Sequence, residues 1–164
     1  MSKPLELVPA QNWIQNSGLY SHCRWRLLAE GDSWFSIGAF NPFKNANLLQ
    51  NMAFSSFAVA AHCSYPGDTL RHIADFRNDQ NFVQLLTGNV SWRWDAILLS
   101  AGGNDLIDAA QSKPDAPMHL RLLRKRSEWG PASEGVGRFI SEDGWSTFMT
   151  YFRANLDLLI ALRE

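Results

Sequence analysis

Three short apolar runs, over residues 25–30, 54–61 and 95–100, limit most strongly what this chain can fold into. They are largely continuous rather than alternating, which is typical of parallel strands that are covered on both faces of a sheet. Each run leads into a turn that contains glycine and then into a stretch with helical periodicity. The pattern predicts three strand–helix units, and therefore an α/β fold with a mostly parallel sheet.

The remaining segments are predicted to belong to the same domain, because 164 residues suffice for one core but not for two. Residues 1–24, with two prolines, are predicted to be an irregular lead-in. The helix after the second strand is predicted over residues 67–76. Residues 111–140 are rich in proline and glycine and are predicted to be a loop-rich insertion. Residues 141–164 are predicted to be a terminal helix with Ser141 as its N-cap.

The C-terminal part carries two further patterns. The basic segment 120–126 predicts a short helix with a solvated charged face, with an excursion over a binding site as the alternative. A parallel strand and its helix normally lead to another strand, so we expect the sheet to be incomplete at the C-terminus, with residues 96–99 near its edge. Seven apolar residues recur at helical spacing in the terminal segment and predict a buried stripe: Trp145, Phe148, Met149, Phe152, Leu156, Leu159 and Ile160.

The composition excludes several classes of function. A formal net charge of −1 gives no general attraction to nucleic acid or to an anionic membrane. With 46% hydrophobic and 19% charged residues, the chain is typical of a folded globular protein. The sequence has neither an apolar run of the roughly 20 residues that span a bilayer nor a signal peptide, so we predict a cytoplasmic protein.

Two cysteines are too few for a disulfide framework and are predicted to be reduced thiols. Each follows a histidine, in His22-Cys23 and His62-Cys63, which suggests zinc as an alternative. The first pair precedes one strand and the second ends the next, so parallel strands would hold the pairs at opposite ends of the sheet. We therefore predict neither a metal nor a cofactor.

The residues that carry chemistry follow the predicted strands. Ser33 comes at the end of Gly31-Asp32-Ser33, where a serine can be a helix N-cap or a nucleophile, and Asp32 is expected to fix the turn. Gly67 and Asn104 follow the second and third strands, and Asn104 could also be a turn residue or a helix cap. Ligands bind at the carboxyl ends of strands in open α/β sheets, so Ser33, Gly67 and Asn104 are predicted to share one edge.

Together, Gly31-Asp32-Ser33, the segment YPGDTL at 65–70 and the segment LSAGGND at 99–105 resemble three blocks of the GDSL/SGNH hydrolase family, in the family's order. The resemblance spans roughly residues 26–108. It implies a three-layer, flavodoxin-like α/β/α fold and esterase or lipase-like hydrolysis through an acyl-enzyme. By this resemblance Ser33 matches the nucleophile, whereas the Gly67 backbone N–H and the Asn104 side-chain amide match oxyanion donors. Asp105 is expected to form only local hydrogen bonds.

The family's fourth block, an Asp-x-x-His near the C-terminus, has no counterpart in this chain. Of the four histidines, His22 is expected at the wrong end of the sheet and His62 to be satisfied structurally. His72 is expected more than a turn into its helix and pointing away. His119 lies one residue too far from Asp115 to match the block, and it is the weak substitute base.

The lack of an Asp-x-x-His block predicts that a missing C-terminal segment or a partner chain supplies the Asp and His. It also predicts that these 164 residues alone have weak or no activity. The expected substrate is a small-molecule ester, including acetylated carbohydrates. The alternative is a non-catalytic module that binds a ligand or a partner on a truncated scaffold. A nucleotide-binding domain is disfavoured, because Ala101-Gly102-Gly103-Asn104 lacks the G-x-G-x-x-G spacing.

Overall fold

A computed structural model of the protein describes residues 2–36, 47–75, 77 and 80–162. The strands are β1 (Lys3–Pro4), β2 (Glu6–Pro9), β3 (Trp25–Gly31), β4 (Ala53–Phe54), β5 (Ala58–His62) and β6 (Ala96–Ser100). The α-helices are α1 (Ala10–Asn16), α2 (Ser33–Ser36), α3 (Leu70–Ala74), α4 (Gln80–Thr87), α5 (Gly103–Ala110) and α6 (Glu142–Ala161). Short 3-10 helices cover Ser17–Tyr20, Leu49–Asn51, Met118–Leu120, Arg126–Glu128 and Ala132–Phe139.

Four strands form a parallel sheet in the order β2-β5-β3-β6, and helices flank it. The register places Leu28 of β3 beside Ala61 of β5 on one side and Ile97 of β6 on the other. Strands β1 and β4 form a separate antiparallel pair. The predicted α/β fold with a mostly parallel sheet is confirmed.

Side chains alternate between two apolar layers, one on each face of this sheet. Leu28 and Val59 point into a core that includes Trp13 of α1, Phe82 of α4 and Leu159 of α6. The neighbouring strand residues point the other way, into a second core with members from α2 and the 3-10 helix Leu49–Asn51: Leu27, Ala29, Ala58, Ala60, Phe35 and Leu49. Because both faces are buried, the strand sequences are continuously apolar.

The prediction of an irregular lead-in over residues 1–24 is wrong. Strand β2 extends the sheet as an edge strand parallel to β5, and α1 buries Trp13 with 1% exposure. The prolines are compatible with this because Pro4 and Pro9 end β1 and β2, and an edge strand tolerates a missing N–H.

The second predicted strand and the helix after it are shorter than the sequence suggests. Residues 54–61 do not form one strand, because bends at Ser55 and Ser56 separate β4 from β5. The helix expected from Gly67 begins at Leu70, where Thr69 accepts the N–H of His72 at 3.3 Å as the N-cap. The end expected at residue 76 lies outside the described residues.

The C-terminal half follows the prediction in outline. The loop-rich segment 111–140 contains short 3-10 helices, and Ser141 caps α6 by accepting the Gly144 N–H at 3.1 Å. Strand β6 is an edge strand as expected, with Leu99 36% exposed. Of the described helices, none is both long and apolar enough to cross a bilayer.

Two details of this half differ from the prediction. The basic segment 120–126 is not a solvated helix, because Arg121 is buried with 3% exposure. Its guanidinium binds both carboxylate oxygens of Glu128, at 2.8 and 2.9 Å, and two backbone carbonyls. The apolar stripe of α6 is only partly covered, since Trp145 and Ile160 are 45% and 54% exposed.

Candidate functional site

Strand β3 ends in close contact with the end of β6. A Cβ at Gly31 would overlap the Ser100 carbonyl, so only glycine fits there. The next residue, Asp32, donates its N–H to the same carbonyl at 2.8 Å. Its Oδ1 accepts the Ser100 hydroxyl at 2.8 Å and the Trp34 N–H at 3.1 Å. Asp32 therefore fixes the turn, as predicted, and also joins the two strand ends.

Ser33 is the first residue of α2 and is half-buried. Asp32 performs the capping that Ser33 was also expected to do, because its side-chain Oδ1 accepts the Trp34 N–H at 3.1 Å. Within the part of the chain that the structure describes, the Ser33 hydroxyl has no hydrogen-bond partner. The capping alternative for Ser33 is therefore wrong, and its oxygen is available for other contacts.

Gly67 lies in the loop between β5 and α3 and requires glycine, because its φ is +90°. This loop returns to β3 through the Tyr65 N–H, which donates to the Gly31 carbonyl at 3.0 Å. Among the described residues, no acceptor contacts the Gly67 N–H and no atom lies within 4 Å of where a Cβ would be. The peptide N–H of Gly67 is thus an unused donor at this edge of the sheet.

Asn104 connects the segment after β6 to the loop between β5 and α3. It lies in the first turn of α5, after Gly102, the N-cap, so the expectation of a turn or cap role is wrong. Its Nδ2 donates to the Asp68 carbonyl at 2.9 Å, beside Gly67. A side-chain amide carries two hydrogens, so this contact leaves one N–H for a further acceptor.

The loops that carry Ser33, Gly67 and Asn104 therefore meet at the carboxyl edge of the sheet. The contacts of Asp32 with Ser100, and of Asn104 with Asp68, hold them there. This is the edge expected from the parallel topology, whereas the catalytic roles of the three residues remain predictions.

Asp105 does not form local hydrogen bonds, contrary to expectation. It is 4% exposed, and its two oxygens accept the Leu70 N–H and the Tyr151 hydroxyl, each at 2.8 Å. Burial, and then the hydrogen bond to the Asp105 carboxylate, raise the pKa of Tyr151 to about 12. Sequence reasoning missed this contact because its partners lie 35 and 46 positions away.

The histidine environments differ from one another. His62 is satisfied as predicted, with Nε2 at 3.1 Å from the Phe35 carbonyl. His72, by contrast, lies in the first turn of α3, and its Nδ1 is 2.5 Å from Oδ1 of Asp68. The expectation that His72 lies more than a turn into its helix is wrong, because α3 begins only at Leu70. A buried carboxylate thus orients an imidazole that is 43% exposed.

A cavity of about 450 Å³ lies beside this edge and is lined from α3, α5, α6 and the 3-10 helix Met118–Leu120. Arg71 contributes a guanidinium, His119 an imidazole, and Asp105 and Asp108 contribute carboxyl groups. Within the described residues, the lining does not include Ser33, Gly67 or Asn104. The predicted catalytic residues and this cavity are therefore neighbours, not one site.

Cys23 and Cys63 are both reduced thiols and not half-cystines, as predicted. Cys23 precedes the start of β3, whereas Cys63 follows the end of β5. Since these strands are parallel neighbours, the two His-Cys pairs lie at opposite ends of the strands. A zinc site built from both pairs is therefore not possible.

No protein-family model matches this chain, and neither does any curated protein or solved structure. The resemblance to the GDSL/SGNH hydrolases therefore rests on the three sequence blocks and remains a prediction.

Proposed function

We propose that this protein is a serine-dependent ester hydrolase whose nucleophile is Ser33. The observation that carries the proposal is the set of hydrogen bonds that joins three loops at the carboxyl edge of the sheet. These bonds join the loops that carry the Ser33 hydroxyl, the Gly67 peptide N–H and the Asn104 amide. Among the described residues, the Ser33 hydroxyl and the Gly67 N–H have no hydrogen-bond partner. A cytoplasmic location is part of the proposal.

In the proposed reaction the Ser33 oxygen attacks the carbonyl carbon of a small ester, and a base takes the hydroxyl proton. The carbonyl oxygen becomes an oxyanion, which the Gly67 N–H and the Asn104 amide stabilise. Collapse of this intermediate releases the alcohol, which receives the proton from the base. Water then attacks the acyl-enzyme by the same route and releases the carboxylic acid.

The proposed base is His72, because Asp68 holds its imidazole as a carboxylate holds the histidine of a serine triad. The contact engages Nδ1, so Nε2 carries the lone pair that takes the proton. The alternative expected from the sequence, a base supplied by a missing segment or a partner chain, stays a prediction.

Fluorophosphonate labelling and hydrolysis of p-nitrophenyl acetate test the proposal. We expect Ser33→Ala to abolish labelling and to reduce kcat by up to about 10⁶-fold, towards the uncatalysed rate. Ser36→Ala is the matched control, because Ser36 lies in the same turn and its hydroxyl already donates to the Asp32 carbonyl at 2.8 Å. Labelling that survives Ser33→Ala would remove the assignment.

The oxyanion and base roles have separate tests. Asn104→Ala should lower kcat by about 10²–10³-fold with little change in KM. His72→Gln should lower kcat by about 10²–10⁴-fold, whereas His119→Gln should leave it unchanged. Equal effects of the two histidine variants would contradict the role of His72.

The second candidate function is a binding module without turnover, which the 450 Å³ cavity favours because small-molecule sites have this size. Thermal-shift screening of small carboxylates and acetylated sugars distinguishes the two candidates. A ligand that stabilises the wild type and Ser33→Ala equally, in a protein that hydrolyses no ester, would favour the module.

A further inference from the structure

Three potential metal ligands meet near the amino-terminal ends of the parallel strands, opposite to Ser33. One oxygen of Glu6, one ring nitrogen of His22 and Sγ of Cys23 all lie within 4.8 Å of one another. Glu6 and His22 are exposed, whereas Cys23 is 3% exposed. Thiolate, imidazole and carboxylate are the ligands that Zn²⁺ takes in proteins.

The sheet topology explains why residues distant in sequence meet here. Glu6 is the first residue of β2, and it pairs with Val59 of β5. The segment leading into β3 contacts the start of the same strand, because the Arg24 N–H donates to the Phe57 carbonyl at 3.0 Å. Strand β5 therefore holds Glu6 and the His22-Cys23 pair at its two sides.

The imidazole of His22 has the orientation that a metal ligand needs. Its Nδ1 is 3.0 Å from the Leu19 carbonyl, which fixes the tautomer with the proton on Nδ1. The lone pair of Nε2 then faces Sγ of Cys23, at 3.5 Å. A hydrogen bond from the other ring nitrogen to a backbone carbonyl is typical of zinc-binding histidines.

The distance between these two atoms also fits. In a tetrahedral site with Zn–S near 2.3 Å and Zn–N near 2.05 Å, the sulfur and nitrogen are separated by about 3.6 Å. The observed separation is 3.5 Å. A backbone turn fixes the pair, since the Cys23 N–H donates to the Tyr20 carbonyl at 3.0 Å. The sulfur and nitrogen thus need little rearrangement to share a cation.

We propose that Glu6, His22 and Cys23 bind a divalent transition-metal ion of the Zn²⁺ class, with solvent in a fourth position. On binding, the Cys23 thiol gives its proton to water and the sulfur forms a bond to the metal. The ion would connect β2 to the segment before β3 and stabilise the edge of the sheet.

Titration of the full chain with Co²⁺, under a phosphine reductant, tests the proposal directly. We expect a near-ultraviolet thiolate-to-cobalt charge-transfer band that saturates at one equivalent and disappears when Zn²⁺ is added. Cys23→Ser and His22→Gln should each weaken Co²⁺ binding at least about tenfold, since loss of a group that only hydrogen-bonds to a metal ligand already costs that much. The wild type without such a band would overturn the proposal.

The second His-Cys dipeptide provides a matched control. Cys63→Ser and His62→Gln change the same residue types at the opposite edge and should leave Co²⁺ binding unchanged. Glu6→Gln removes the charge but keeps the shape of an exposed side chain, so it should remain folded and still bind at least about tenfold more weakly. Unchanged affinity in Glu6→Gln, or loss of the band in Cys63→Ser, would refute the proposed ligand set.

Zn²⁺ should also raise the thermal unfolding midpoint of the wild type, because a ligand that binds only the folded state stabilises it. The same addition should raise the midpoint of Glu6→Gln by less, because this variant binds the ion more weakly. Equal shifts in both proteins would count against the site, whatever the result of the esterase assays at the other edge.

Discussion

Replacing Tyr151 with phenylalanine removes one hydroxyl, the one that donates to Asp105 at 2.8 Å. The acceptor is a carboxylate with only 4% exposure, and a hydrogen bond to a charged group contributes about 1.5–3 kcal/mol. Because Tyr151 is itself half-buried, water can replace part of the lost contact. We therefore expect the free energy of unfolding at pH 7 to fall by about 1.5–2 kcal/mol, which lowers Tm by about 3–8 °C in a chain of this length.

The same contact predicts how stability depends on pH. The pKa of Tyr151 is raised from 10.0 to about 12, so the folded protein holds this proton after the unfolded chain has lost it. Its contribution to stability is complete below about pH 10 and is lost as pH rises through about 12. The contribution is smaller than the ~2.7 kcal/mol equivalent to two pKa units, since solvent screens the half-buried ring.

Urea unfolding at pH 7 and in steps above pH 9, together with tyrosinate absorbance, measures both effects. Tyr65→Phe is the control, because Tyr65 is 69% exposed, and it should change stability by less than about 0.5 kcal/mol. The difference between the absorbance titrations of the wild type and Tyr151→Phe isolates the Tyr151 transition. Equal stability of the two variants, or a Tyr151 transition at the ordinary value of 10.0, would refute the reasoning.

Three further predictions concern other parts of the fold. Ser141→Ala should lower the free energy of unfolding by about 1–2 kcal/mol in urea, because it removes the buried N-cap of α6; an unchanged midpoint would contradict this. In a double-mutant cycle, Asp32→Ala and Ser100→Ala should show a coupling energy of about 0.5–3 kcal/mol, and additive effects would exclude a direct interaction. In native protein with a chelator present, iodoacetamide should label Cys63 before Cys23. The reason is that burial, and to a smaller extent the charge of Glu6, raises the pKa of the Cys23 thiol. Mass spectrometry that shows the reverse order of labelling would refute this.

The strands and the loops after them were predictable from local pattern. Continuous apolar runs identified β3 and β6 within one residue, because strands buried on both faces contain little polar sequence. Gly31 and Gly67 marked the turns, since one position allows no Cβ and the other has a positive φ. Ser141 marked the start of α6, because capping depends on residues within one turn.

The edge strand β2 could not be identified in this way. It contains only Glu6–Pro9, and its place beside β5 depends on pairing with a strand about 50 positions later. Likewise, the burial of Arg121 depends on the loop that brings Glu128 to it, and a run of basic residues gives no sign of such a partner.

By itself, the sequence determined the fold class, the parallel sheet and the order in which Ser33, Gly67 and Asn104 follow its strands. Those properties depend on residues that are close together in the chain. Only the tertiary structure decided that Asp105 binds Tyr151 and that the Cys23 thiol faces the His22 imidazole near Glu6. Such contacts require helices and strands to pack in one particular arrangement, and the free energy that selects the arrangement comes from the whole core.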